Sequence, residues 1–270
     1  MLICATSVGV QNGSIDLDLL YRTALDGIHR AYVFMRFGVH GVSVGDFDDT
    51  CLPGRTELQI VPEPMQQERL DSYLSEFRTW IVGNGLRELV ENYCLFLDEV
   101  YGQGLAILSP PDHDRRMKSF EQASLREKVR RLRDEMAIEG GFSRHFEGFT
   151  AVRHALTHGA GTVRQRDCTD GNDLAMTWRG FEVYFTGEDG VRYRIGDEPE
   201  GMQLREPLET VTVDRERRWK VGEKVALSTY DLAEITFMAN HEAVEVLDAL
   251  RDFGLRHGVT MKAAIMVRGG

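Results

Sequence analysis

The stretch Ser143-Arg-His-Phe-Glu-Gly-Phe-Thr-Ala-Val-Arg-His-Ala-Leu-Thr-His158 holds the residues of this chain best suited to chemistry. Arg153 and His158 are separated by four residues, and a polar residue, His154, directly follows the arginine. A guanidinium is permanently charged and fork-shaped, so it suits the negative charge that develops on a phosphate under attack. A histidine changes protonation near neutral pH, and can take the proton of a ribose 2′-hydroxyl or supply one to a leaving oxygen. Together the two types fit internal transesterification of RNA. The nucleophile then belongs to the substrate, and no metal or other cofactor is called for.

As a helix turning about 100° per residue, this stretch puts Phe149, Val152 and Leu156 on a core-facing stripe. Glu147, Ala151, His154 and His158 share the opposite face. Arg153 sits on the core flank, about 140° round from His158. One chain's pair does not converge easily on one phosphate. Two copies about a two-fold axis would bring both pairs into a shared cleft, because an isologous interface duplicates every residue. The expectation is therefore a homodimer with Arg153 and His158 catalytic and His154 and Glu147 on the binding face. Blander readings stand beside it. Arg153 also fits a structural arginine paired with Glu91 or Asp98, and His158 fits a cation at a helix C-terminus. His154 and His158 lie four apart with Glu147 in line, as zinc ligands would. Ala155, however, stands where a His-Glu-x-x-His protease needs glutamate.

Arg-polar-x-x-x-His late in a run of helices resembles the signature of the HEPN superfamily (higher eukaryotes and prokaryotes nucleotide-binding). In many members the arginine and histidine form a metal-independent ribonuclease site, composite across a dimer. The trailing Gly159-Ala160-Gly161 and the closing Val221-Gly-x-x-Val-x-Leu-Ser228 are similar to bacterial HEPN-like proteins that read Arg-Asn-x-x-x-His-Asn-Gly-Gly. His154 replaces the common asparagine, and Gly159 the asparagine that often follows the histidine. The layout covers residues 65 to 255, the motif only about ten of them. The resemblance implies an endoribonuclease or ribonuclease toxin with an RNA substrate, a homodimer, and an antitoxin protein as a possible partner. A non-catalytic HEPN-like module binding a nucleotide, RNA or a partner protein is the alternative.

Several helices must position these residues. Leu17, Leu20, Ala24, Ile28, Ala31 and Met35 recur at three- and four-residue steps, predicting a helix over 16–37 with Ser14 able to cap it. Residues 38–64 read as loop with a short strand at 58–61. Helices follow over 65–82 and 86–100, separated by a break at Gly83-Asn84-Gly85. Pro110-Pro111 ends that hairpin. A charged helix spans 118–138 and stops at Gly140-Gly141, and the helix ending at His158 closes with Gly159 in the left-handed conformation. Beyond Gly161 the composition turns β-rich: strands at 174–178, 181–186 and 191–195, split by turns at Arg179-Gly180 and Gly187–Gly190. Residues 211–213 and 224–227 are weaker strands. Ser228 and Asp231 form a capping box for a last helix to about Leu255. The class is α+β: a HEPN-like antiparallel helical bundle over 1–161, then a small antiparallel β-rich segment and closing helix over 162–270. That helix is free to pack back on the bundle as one domain.

Bulk properties set outer limits. With 270 residues, 42% hydrophobic and 28% charged, the chain can bury a core without staples. Cys4, Cys51, Cys94 and Cys168 form no C-x-x-C pair, a pattern of a reducing compartment. No apolar run nears the ~20 residues of a membrane span, and no basic n-region opens the chain, so a cytoplasmic protein is expected. The net charge of −11 argues against a general nucleic-acid coater. Residues 113–133 carry eight basic side chains against three acids, which reads either as a local basic patch or as a solvated helix face with i,i+4 ion pairs. Gly38–Gly45 lacks the Gly-Lys-Ser/Thr of a phosphate loop. His29, His40, His113, His145, His241 and His257 show no partner pattern, and Trp80, Trp178 and Trp219 no interleaving with basic residues.

Overall fold

A computed structural model describes residues 14–44, 67–141, 143–197, 199, 202–203 and 207–262. Over these residues the chain is α+β, with helices and a small antiparallel sheet around one continuous core. The helices are α1 (Leu17–Val44), α2 (Gln67–Leu108), α3 (His113–Glu121), α4 (Leu125–Met136), α5 (His145–His158) and α6 (Thr229–Arg256). The strands are β1 (Ser14–Asp16), β2 (Asp173–Thr186), β3 (Arg192–Arg194), β4 (Glu209–Lys220) and β5 (Thr260–Lys262). β2 lies between β3 and β4, antiparallel to both, in a register that sets Trp178 opposite Arg215. β1 pairs in parallel with β5. The core runs from Ile15 through α2 and α5 to Phe253, without interruption at residue 161.

α1 and α2 form an antiparallel hairpin whose seam is lined with glycine. A Cβ on Gly27 would press on Asn92 Cβ at 2.7 Å, one on Gly38 on Ile81 Cγ2 at 2.5 Å, and one on Gly85 would overlap Met35 Cγ. Here the sequence reading needs correction. Gly83-Asn84-Gly85 does not break the helix: α2 passes straight through it. Gly83 faces α5, where a Cβ would sit 2.9 Å from Leu156 Cβ. These glycines are spaces for neighbouring helices, not hinges. For the same reason α1 runs on past Phe37 and Gly38 to Val44. The short strand expected at 58–61 lies outside the described residues.

The charged helix expected over 118–138 is two helices. Ser124 Oγ accepts the Glu127 N–H and starts α4 afresh. Its stop is Ala137, in the left-handed region at φ 55°, ahead of Gly140-Gly141. Those two glycines instead let the chain approach α6, where the Gly141 N–H donates to Glu245 at 2.6 Å. After α5, Gly159 is at φ −109°, and the left-handed residues are Ala160 and Gly161. Gly159 is there because a Cβ would strike the carbonyl oxygens of Thr162 and Ala155.

Arg179-Gly180 is not a turn either, since β2 continues through it. The missing Cβ of Gly180 makes room for the buried carboxylate of Glu234. That carboxylate accepts from Trp178 Nε1 at 2.9 Å, the Phe181 N–H at 3.3 Å and Arg215 Nη2 at 3.2 Å. The ribbon is thereby fastened to α6. The expected strand at 211–213 lies in the first half of the longer β4, while 224–227 contributes only an isolated bridge from Lys224 to Thr162. α6 opens with the reciprocal capping box of Ser228 and Asp231 and packs on α1, α2 and β2.

Candidate active site on α5

α5 is wedged between α2 and β2. Phe146, Phe149, Val152, Ala155 and Leu156 are buried on it. Phe146 stacks on Tyr93 of α2 at 4.0 Å between ring centroids and meets Phe149 edge-on at 5.4 Å. On its other flank Gly148 lies against the β2 backbone, a Cβ there being 3.4 Å from Met176 Cα. Ala151 consequently packs on the core rather than facing outward, so the outward face expected from helical periodicity is narrower than four residues. The helix end is tied down by the Gly159 and Gly161 N–H groups, both donating to the Ala155 carbonyl.

Arg153 sits on the flank of α5 that turns toward α2, its side chain 28% exposed. Its one ion-pair partner among the described residues is Glu91, with Nη1 and Oε1 4.0 Å apart. Its Nε is buried and has no hydrogen-bond partner among the described residues. Asp98, the other carboxylate that sequence placed within reach, is taken by the buried ammonium of Lys128. Cys94 lies among these charges. Burial pushes its thiol up, against the pull of Lys128 and with the push of Asp98 and Glu91.

His158 is the last residue of α5 and is exposed. His154, one turn earlier, is half-buried, and its Nδ1 likewise lacks a partner among the described residues. The two imidazoles meet edge to face, 4.7 Å between centroids at 71°. The backbone of Glu147 belongs to α5, but its side chain lies outside the described residues. The fold thus packs His154 and His158 together, while Arg153 turns to the α2 side. Among the described residues no group of three or more His, Cys, Asp or Glu side chains is arranged to hold a metal ion.

The basic segment 113–133 resolves into ion pairs. Arg116 and Arg131 converge on Glu135, Arg130 bridges Glu127 and Asp134, Arg115 meets Asp112, and Arg133 meets Asp134. Asp134 and Glu135 lie just beyond residue 133 and Asp112 just before 113, so a window cut there exaggerates the excess of positive charge.

Two polar clusters escaped sequence reasoning. The buried carboxylate of Glu242 accepts from Tyr93 Oη at 2.8 Å and from Ser143 Oγ, fixing the start of the α5 segment to α2 and α6. Burial, with the Glu242 charge, raises the Tyr93 phenol well above its ordinary range. Nearby, buried His145 joins its Nδ1 to Thr177 Oγ1 of β2 at 2.8 Å, and burial holds its pKa down. Partners 99 and 32 residues apart leave no local signal. No helix among the described residues is long and apolar enough to cross a membrane. No protein-family model, curated protein or solved structure matches this chain.

Proposed function

We propose that this chain is a metal-independent endoribonuclease, of the ribonuclease-toxin kind, acting as a HEPN-like homodimer through Arg153 and His158. The observation that carries the reading is the unspent hydrogen-bonding capacity of Arg153. Two arginines that hold elements together give the contrast. Arg131 donates to Tyr101 Oη at 2.6 Å and Glu135 at 2.9 Å, and Arg215 reaches Glu234 at 3.2 Å. Among the described residues Arg153 has only a carboxylate at 4.0 Å and a buried Nε with nothing to bond. A half-buried guanidinium with free donors suits a phosphate oxygen better than it suits a core.

In the proposed reaction the ribose 2′-oxygen attacks the adjacent phosphorus and the bond to the 5′-oxygen breaks. The products are a 2′,3′-cyclic phosphate and a 5′-hydroxyl. The proton leaving the 2′-hydroxyl goes to one imidazole, and the proton needed by the 5′-oxygen comes from another. A dimer supplies His158 twice, which meets both needs. His154, packed on His158, orients that ring, and Glu147 belongs to the same binding face. The contact to Glu91 supports a second reading, in which Arg153 is a structural arginine and the chain a non-catalytic RNA- or protein-binding module. Incubation of the purified protein with single-stranded RNA in excess chelator separates the two. Fragments ending in 2′,3′-cyclic phosphate are expected, and intact RNA under those conditions would leave only the binding module.

A further inference from the structure

The outer side of the α1–α2 hairpin carries a patch of uncovered aromatic side chains. Arg30 of α1 pairs with Glu88 of α2 at 2.7 Å and donates to Asn92 at 2.9 Å, marking where the two helices meet at the surface. From that pair toward the C-terminus of α1 come Phe34 and Phe37, four and seven residues on, along the same side of the helix. From it toward the N-terminus of α2 come Trp80, Phe77 and Tyr73. All five are 43 to 71% exposed. Phe77 and Trp80 stack on each other, 5.9 Å between centroids at 13°. An arginine stands at the edge of the patch, where Arg69 lies over Tyr73. Aromatic centres with arginine at the edge are the composition of protein interfaces and of their energetic hot spots.

We propose that this patch seats a second copy of the same chain. At ~200 Å² per aromatic side chain, the uncovered parts of the five amount to roughly 500 Å², and two copies would remove roughly 1,000 Å² before any rim contacts, the threshold for a specific interface. Roughly 500 Å² is at the upper end of the apolar patch that a monomer leaves in water, where such patches are often functional. The choice of occupant rests on the ribonuclease reading above, which requires a two-fold pairing. Position agrees with it. The exposed face of α2 continues from Trp80 through Asn84 and Arg87 to Glu91, the residue beside Arg153, so a copy on the patch lies along the helix face that leads to the candidate site. Stacked RNA bases are the competing occupant. Phe77 and Trp80 already spend faces on each other, whereas a base-stacking surface presents its rings one per base.

Sedimentation of the full chain at micromolar concentration tests this. Wild type is expected near twice the 30.6 kDa chain mass. Trp80→Glu and Phe37→Glu, both at exposed positions, are each expected to raise the dimer dissociation constant at least tenfold with an unchanged circular-dichroism spectrum. A monomeric wild type, or a dimer indifferent to both substitutions, overturns the proposal. So does quenching of Trp80 fluorescence by oligouridine in a monomeric protein, which assigns the patch to RNA; Trp178 and Trp219 are buried, so a ligand at the surface does not reach them. RNA cleavage is read separately. A dimer governed by Trp80 that cuts no RNA keeps the interface and ends the ribonuclease reading, whereas cleavage by a monomer ends the interface.

Discussion

Replacing Gly85 by alanine should lower the stability of this protein, although the same change in a helix usually raises it. In an open helix, alanine gains ~1 kcal/mol over glycine because it loses less backbone entropy. At Gly85 the added methyl would overlap Met35 Cγ and come within 2.7 Å of its Sδ. Met35 is fully buried, and the clash falls near the root of its side chain, so it cannot swing clear. Overpacking of this kind costs ~1–3 kcal/mol, here taken near the upper end. The net effect is then a loss of ~1–2 kcal/mol, or a drop of about 2–8 °C in Tm for a chain of this size. Gly41, exposed on α1 with nothing within 4 Å of its would-be Cβ, is the control: Gly41→Ala should raise the Tm by about 2–4 °C. Calorimetry on both variants and on Met35→Ala/Gly85→Ala completes the test. The double variant should cost less than its two single changes added, by ~1 kcal/mol or more. A Gly85→Ala protein that melts above wild type would refute the close seam between α1 and α2, and with it the course of α2 through residues 83–85.

Other consequences follow from the same geometry. Arg153→Ala and His158→Ala should each lower RNA cleavage by ~100- to 1,000-fold, the scale of a lost transition-state contact, with the thermal melt unchanged. The reverse pattern, a lower Tm for Arg153→Ala and full cleavage for His158→Ala, would make Arg153 a partner of Glu91 and nothing more. Glu234→Ala leaves Trp178 Nε1 and the Phe181 N–H without their acceptor, while Arg215 keeps Glu182 at 3.3 Å, and should cost ~1–3 kcal/mol in urea unfolding; no measurable loss would mean that the ribbon is anchored elsewhere. Burial holds His145 below the 6.5 of a free imidazole, so the unfolded chain binds its proton first. Its contribution to stability is therefore full above pH 6.5 and is lost as pH falls through the lowered folded value. The Tm difference between pH 7.5 and 5.5 should shrink in His145→Gln, and an equal difference in both proteins would remove His145 as its source.

Long periodic elements were legible in the sequence. The apolar steps of α1, the close of α5 at His158 and the capping box of α6 are local signals, and each element stands where its residues place it. Glycine was ambiguous. Gly83, Gly85 and Gly180 carry the same local signature as helix breaks and turns, but what they face comes from distant parts of the chain: Leu156, Met35 and Glu234. The break before α4 was readable, because Ser124-Leu-Arg-Glu127 is a capping-box pattern within the charged run. The pairing of β1 with β5 was not, since three-residue strands joined across most of the chain have no periodicity to detect. At the candidate site, helical arithmetic placed Arg153 on the core flank and His158 outside. It could not foresee that Ala151 packs on the core, because that depends on how α5 is set between elements distant in the chain.

The packing of α6 on α1 has a consequence for synthesis on the ribosome. Tyr21 and Asn240 are hydrogen-bonded at 3.2 Å, yet more than two hundred residues separate their translation. At ~5–20 residues per second, the side of α1 that α6 covers waits roughly 10–40 s for its partner to leave the exit tunnel. α2 arrives much sooner and shields part of α1 through the glycine seam. The remainder of that apolar surface is the nascent segment with the greatest need of a chaperone, and a chain truncated before residue 229 never acquires its native cover.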